Sequence, residues 1–149
     1  RPRPELATVQ LADLLAEVAQ MATTADITVG VEPGGPETVQ ADKAQLRRAL
    51  LNLARNAVQA ATAAEHRGTG AVTVSAREQD GEHWLSVWNR GKEITREASG
   101  KLSEPFYTTR EKGTGLGLAF VRDIAADHGG RVELVSADGE TTFSLVLPG

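Results

Sequence analysis

The chain has no cysteine, which excludes disulfides and thiolate metal sites and fits the cytosol. It has no apolar run near the roughly 18–20 residues needed to cross a bilayer. No secretory leader is visible, and the first residue is Arg1 rather than Met, as expected of a piece cut from a longer chain. Positive charge is not in excess: 16 Lys and Arg face 20 Asp and Glu, for a net charge of −4. With no basic stripe either, a nucleic-acid partner is disfavoured. The histidines sit singly in "EHRG", "EHWL" and "DHGG". They are too scattered for a metal cluster and read as surface or turn residues. What is present is an ordinary soluble balance, 40% hydrophobic and 24% charged over 149 residues. That allows one domain, 1–149, with a sizeable core.

"RPRPE" reads as an extended lead-in. Leu11, Leu14, Leu15 and Val18 recur at helical spacing and predict a helix over 11–22. "DITVGVEPGGPE" reads as a short strand followed by a turn. Asp42 is a suitable N-cap for a long helix ending about Ala64. Alternating segments 71–78 and 83–89, joined at Asp80-Gly81, predict a hairpin. Residues 90–114 lack a period and read as loop. A helix follows from about 115 to 128, stopped by Gly129-Gly130. Strands 131–136 and 141–147 close the chain. This order predicts an α/β sandwich, with helices on one face of a mostly antiparallel sheet.

The long helix carries two stripes. Leu46, Leu50, Leu53, Ala57 and Ala61 form a core face. Gln45, Arg48, Asn52, Arg55, Asn56 and Gln59 form a polar stripe beside it. A polar stripe is usually a solvated face. Asn, however, is a poor helix former, and two stacked four apart are unhelpful on an ordinary surface. The Asn carbonyl is a neutral, hard oxygen suited to Mg²⁺ already bound to phosphates. Both readings stand at this point.

Glycine weakens helices, yet "EKGTGLGLAF" places Gly113, Gly115 and Gly117 where one begins. Before a helix, such residues expose N–H groups at the positive end of a dipole, a phosphate cradle. Flexible loops contain such clusters too. The adjacent "EPFYTT" adds an aromatic pair to anchor the loop and two hydroxyls, Thr108 and Thr109.

Taken together, these stretches resemble the catalytic and ATP-binding domain of sensor histidine kinases. "LLNLARNAVQA", "NRGKEI", "EPFYTT" and "GTGLGLAFV" follow the order of its N box, first glycine box, F box and second glycine box. "VQLADLLAEVAQM" is similar to its opening helix, and "DHGGRVEL" and "TTFSLVLP" to its end. "RNAxQA" and "EPFxTT" are similar to the nitrogen-regulation type. The resemblance covers nearly the whole chain and implies the Bergerat ATP-binding fold, shared with gyrase and mismatch-repair ATPases. That fold is a two-layer α/β sandwich, with three helices on one face of a mixed, mostly antiparallel sheet of about five strands.

The resemblance also implies roles. Asn56 becomes the Mg²⁺ ligand. Asn52 takes the position of a catalytic Glu in gyrase-type hydrolases, and an amide cannot act as a base toward water. Asn52 and Asn56 are thus the expected catalytic pair, set up for phosphoryl transfer rather than hydrolysis. Gly113, Gly115 and Gly117 would wrap the triphosphate, with Thr114 and Leu116 offering N–H groups. Arg110, Lys112 and Arg55 would neutralise phosphate charge. Further ATP contacts are expected from Gln59, Asn89, Gly91, Ile94, Phe106, Thr108, Thr109, Leu118 and Thr141. The implied cofactors are ATP and Mg²⁺. The implied partner is the phosphoacceptor (dimerisation) domain of the same kinase and, indirectly, a response regulator. No nucleic acid or membrane contact is expected of this fragment. Its expected location is cytoplasmic, whether or not the parent kinase is anchored in the inner membrane. No histidine here fits the phosphoacceptor hairpin, so the fragment is expected to act on a hairpin domain supplied separately. The alternatives are a nucleotide-binding regulatory module with little kinase activity, or a serine kinase of the anti-sigma type.

Several residues depart from the family pattern. The first glycine box, normally Asp-x-Gly-x-Gly, is Asn89-Arg90-Gly91-Lys92-Glu93. Asn89 shares a face with Leu85 and Val87, where the family's Asp accepts a hydrogen bond from the adenine amino group. Asn still accepts, without charge assistance, at a cost of roughly 1 kcal/mol. A flipped amide could donate to guanine and weaken discrimination. Glu93 for glycine, and Ser103 for the Phe usual before Glu-Pro-Phe, imply a looser lid over 91–113. Trp84 and Trp88 fall on the opposite face, either packed at an edge under a loop or forming a docking patch.

Overall fold

The computed structural model describes residues 3–91 and 116–149. In chain order the elements are β1 (Ala7–Gln10), α1 (Leu11–Ala22), β2 (Ile27–Val31), β3 (Thr38–Ala41) and α2 (Lys43–Ala63). These are followed by β4 (Gly68–Gln79), β5 (Glu82–Arg90), α3 (Leu116–Asp127), β6 (Arg131–Ala137) and β7 (Glu140–Pro148). The main sheet has strand order β2-β4-β5-β7-β6, with β2 parallel to β4 and the other pairs antiparallel. The expected mixed, mostly antiparallel sheet with three helices is what forms. A second sheet, in which β1 pairs with β3, is a difference from the sequence reading. Each of these strands is four residues long, and their buried side chains are Val9, Val39 and Ala41. So short a run cannot show a period of two.

The core lies between the helices and one face of the main sheet. Leu14 and Val18 of α1 and Leu46, Leu50 and Leu53 of α2 are buried with Val72, Val74, Leu85, Val87 and Leu145. Full burial contributes about 1.5–3 kcal/mol for each such side chain. The hairpins turn at Asp80-Gly81 and Asp138-Gly139, all four residues having positive φ, as a tight two-residue turn requires.

Asp42 caps α2: its Oδ1 accepts from the Gln45 N–H at 3.1 Å, and its Oδ2 accepts from the Glu5 N–H at 2.9 Å. The Glu5 bond first, then the Gln45 bond, lowers its carboxyl below the ordinary value. A depressed folded pKa gives stability that is present above the ordinary carboxylate value and is lost as pH falls through the folded one. Native and Asp42→Ala chains should differ by about 1 kcal/mol in urea at neutral pH. The difference should shrink once the pH is taken below about 4.

The outer face is closed by its own side chains. Arg77, Trp84, Val146 and Arg131 form one row across β4, β5, β7 and β6. The guanidinium groups of Arg77 and Arg131 lie 4.7 and 5.7 Å from the Trp84 ring, and Val146 is fully buried. Arg131 forks onto Glu82 at 2.8 and 3.2 Å and also donates to Glu133 at 2.7 Å. Trp88 donates its indole N–H to Glu140 at 2.7 Å. Trp84 therefore packs under arginines of its own sheet rather than under a loop.

At its end α3 closes with paired bonds, Gly130 N–H to the Ala125 carbonyl at 2.8 Å and Gly129 N–H to that of Ala126 at 2.9 Å. Gly129 has φ +78°, the left-handed turn such an ending requires. His128, read from sequence as a surface or turn residue, is half-buried and bonded through both ring nitrogens: Nε2 accepts from the Asp42 N–H at 3.0 Å, and Nδ1 lies 2.8 Å from the Ile124 carbonyl. No helix among the described residues is long and apolar enough to cross a membrane.

Candidate functional site

Two contacts fix how α2 and α3 lie. The start of α2 meets the end of α3 through Asp42 and His128. Farther along α2, Arg48 stacks on Phe120, 4.5 Å from the ring centroid. Moving forward on α2 thus means moving backward on α3, so the helices run antiparallel. One more turn on each, about 6 Å, brings Asn52 level with the amino end of α3 at Leu116. Sequence spacing alone could not place these two features together.

The end of β5 arrives on the same flank of α2. A Cβ at Gly91 would sit 3.0 Å from the Asn89 amide nitrogen and in ordinary contact, at 3.5 Å, with the Ala60 carbonyl oxygen, so the end of β5 packs closely against α2. Ala60 lies about five full turns beyond Asp42 and therefore on the same side of the helix. The stretch of α2 carrying Asn52 and Asn56 lies between the amino end of α3 and the end of β5.

Within that stretch, Asn52 and Asn56 are half-buried, and the Asn56 NH₂ donates to the Asn52 side-chain oxygen at 3.2 Å. The bond orients both amides. The bond uses the NH₂ of Asn56 and the oxygen of Asn52. A hard, neutral amide oxygen near a helix amino end is of the type that fits Mg²⁺. Among the described residues no group of three His, Cys, Asp or Glu could hold a metal. Arg55 and Gln59 are exposed on the same helix.

The far end is a polar row on the core face of the sheet. Asn89 of β5 pairs with Thr141 of β7, which pairs with Ser136 of β6. Asn89 and Thr141 are buried, and the hydroxyls of Ser136 and Thr141 are 2.7 Å apart. The Asn89 NH₂ donates to the Arg90 carbonyl at 3.0 Å. A carbonyl can only accept, so this contact fixes which end of the amide is nitrogen. A flip would set two oxygens against each other. The sequence reading allowed that flip, and the Arg90 carbonyl opposes it. Ser136 was not foreseen as part of this row, because its register depends on how β6 pairs.

Leu116 and Gly117 fall in the first turn of α3, and Leu118 follows, packed against the core. Ile94, Phe106, Thr108, Thr109, Arg110, Lys112, Gly113, Thr114 and Gly115 lie outside the described residues, as do Glu93 and Ser103. The stretch that holds them joins the two walls in sequence, leaving at Gly91 and returning at Leu116.

A family model described as the histidine kinase-, DNA gyrase B- and HSP90-like ATPase matches residues 41–149. The sensor histidine kinase ZraS of Escherichia coli K12 is 40% identical over 111 residues, 74% of this chain and 23% of that protein. The nitrogen regulation protein NtrY of Azorhizobium caulinodans is 31% identical over 140 residues, 91% of this chain and 18% of that protein. The chain thus spans less than a quarter of the length of either of these two curated relatives. Among solved structures, the mycobacterial sensor histidine kinase MprB superposes with a TM-score of 0.80 at 26% identity, covering 97% of this chain and 98% of that one. The catalytic domain of the histidine kinase ThkA gives 0.79 at 28% identity, covering 97% and 95%.

Proposed function

The chain belongs to the histidine kinase-, DNA gyrase B- and HSP90-like ATPase family, and on that premise we propose that it binds Mg·ATP and passes the γ-phosphoryl group to a histidine on a separate dimerisation and phosphoacceptor domain. The reading rests above all on the amides of α2 lying level with the amino end of α3, with the buried Asn89–Thr141 row beyond them. The triphosphate would rest on the α3 end, where the helix dipole favours negative charge. Adenine would lie toward Asn89. Mg²⁺, held by the Asn56 oxygen, would neutralise charge on the phosphates. Asn52 holds the Asn56 amide in orientation and, having no basic lone pair, does not activate water. Catalysis is then positioning and charge neutralisation at a γ-phosphate offered to an incoming imidazole. By this reading the partner is the phosphoacceptor domain of the parent kinase, with a response regulator downstream.

The test is transfer of label from γ-labelled ATP to a purified phosphoacceptor hairpin mixed with this domain. Label on the hairpin histidine is the expected result. Tight nucleotide binding without label transfer would make this a regulatory nucleotide-binding module instead.

The Asn89 geometry makes a separate prediction. With its NH₂ engaged by Arg90, the amide presents an acceptor to the base, which matches the amino group of adenine and opposes the oxygen of guanine. Losing or misaligning one such buried bond costs about 1–3 kcal/mol, so ATP should compete at least about tenfold better than GTP. Equal competition by the two nucleotides would mean that the amide turns over on binding.

A further inference from the structure

We propose that His128 is a positioning residue for the nucleotide site, fixing the register of the helix that faces the phosphates against the helix that carries Asn52 and Asn56. It sits just past α3 and accepts a hydrogen bond from the backbone N–H of Asp42, the residue that caps α2. The cap of one helix is thus tied to the cap of the other. This inference rests on the nucleotide-binding reading above.

The chemistry of the contact is fully specified. A backbone N–H can only donate, so Nε2 of His128, 3.0 Å from the Asp42 nitrogen, is unprotonated and accepts. A carbonyl can only accept, so Nδ1, 2.8 Å from the Ile124 oxygen, carries the proton. Both nitrogens are used, in opposite roles, which matches the Nδ1–H tautomer. Asp42 is itself held in place by the bonds of its carboxylate to Gln45 and Glu5. The donor is therefore rigid, and the acceptor sits on the last turn of α3.

This tie adds a directional contact between α3 and α2 to the apolar packing of the helix. Val121, Ile124 and Ala125 are buried against the core, but apolar burial has no preferred direction. A helix rises about 1.5 Å per residue, so a slip well short of one residue shifts the amino end of α3 relative to Asn52. Misplacement by about 1 Å is enough to cost a large factor in a site that works by positioning. The bond to Asp42 is directional, so it opposes that slip.

The experiment compares nucleotide binding by the native chain, His128→Ala and His128→Gln, each at a temperature where it is fully folded. The probe is a non-hydrolysable ATP analogue with Mg²⁺. Gln places an acceptor where Nε2 was, so it keeps the bond to the Asp42 N–H. His128→Ala should bind about tenfold more weakly, and His128→Gln should recover to within about threefold of native. Because all chains are folded, lowered stability alone would not move the affinity. Native-like affinity in His128→Ala, or no recovery in His128→Gln, overturns the proposal. If the native chain itself fails to bind, the nucleotide reading fails and the proposal falls with it, an outcome distinct from equal binding by all three. Should His128→Ala not fold, nitrogen-resolved NMR of the native ring carries the test. A bare Nε2 with the proton on Nδ1 is expected, and the opposite tautomer overturns the proposal.

Discussion

Replacing Asn56 by Ala should lower phosphoryl transfer to a supplied hairpin domain by at least about 100-fold while leaving the fold as stable as before. The two halves of that expectation have separate causes. Asn56 is half-buried on a face of α2 that takes no part in the core, so its removal opens no cavity. Ala is the better helix former, by up to about 0.7 kcal/mol, so the melting temperature should hold or rise. What is lost is the amide oxygen that the Asn52–Asn56 bond does not use. Transfer within a few-fold of native by Asn56→Ala would remove it from the site.

Gly130→Ala should cost about 3 kcal/mol or more in urea unfolding, against about 1 kcal/mol for Gly129→Ala. The neighbouring glycines do different work. Gly129 is needed for its left-handed backbone, and nothing but the side chain of Pro148, at 3.5 Å, stands near its missing Cβ. Gly130 has no such backbone, but a Cβ there would drive into the Val146 carbonyl. Both partners in that clash are main chain, one closing α3 and one inside β7, so neither can swing aside. The strain would fall on the turn that holds the end of α3, next to His128. A loss under about 1 kcal/mol in Gly130→Ala would show that this approach is looser than the structure has it.

Much of this was legible in the sequence, and for identifiable reasons. The α2 stripes are visible because a helix repeats its faces every 3.6 residues over 21 residues. Asp42 as the cap and Asn89 on the core face follow equally from local rules. The β1–β3 pair was not legible, since four-residue strands joined across α1 and β2 leave no periodic trace. The role of His128 was hidden because its partner is a backbone N–H 86 residues away, which no side-chain pattern records. The orientation of the Asn89 amide was hidden in the same way, being set by the Arg90 carbonyl. The row of arginines over Trp84 was hidden because it needs the pairing of β6 with β7. Features fixed by the chain's own period were readable, and those fixed by main-chain groups brought from afar were not.

The central claim is that a triphosphate rests at the amino end of α3 with its metal held by Asn56. Calorimetric titration with a non-hydrolysable ATP analogue, with and without Mg²⁺, on the native chain and on Asn56→Ala, tests it most directly. The native chain should bind at least about tenfold more tightly with Mg²⁺, and Asn56→Ala should bind with nearly the same affinity in either condition. If Asn56→Ala keeps the full metal dependence of the native chain, the ion is held elsewhere and the assignment of the site is wrong.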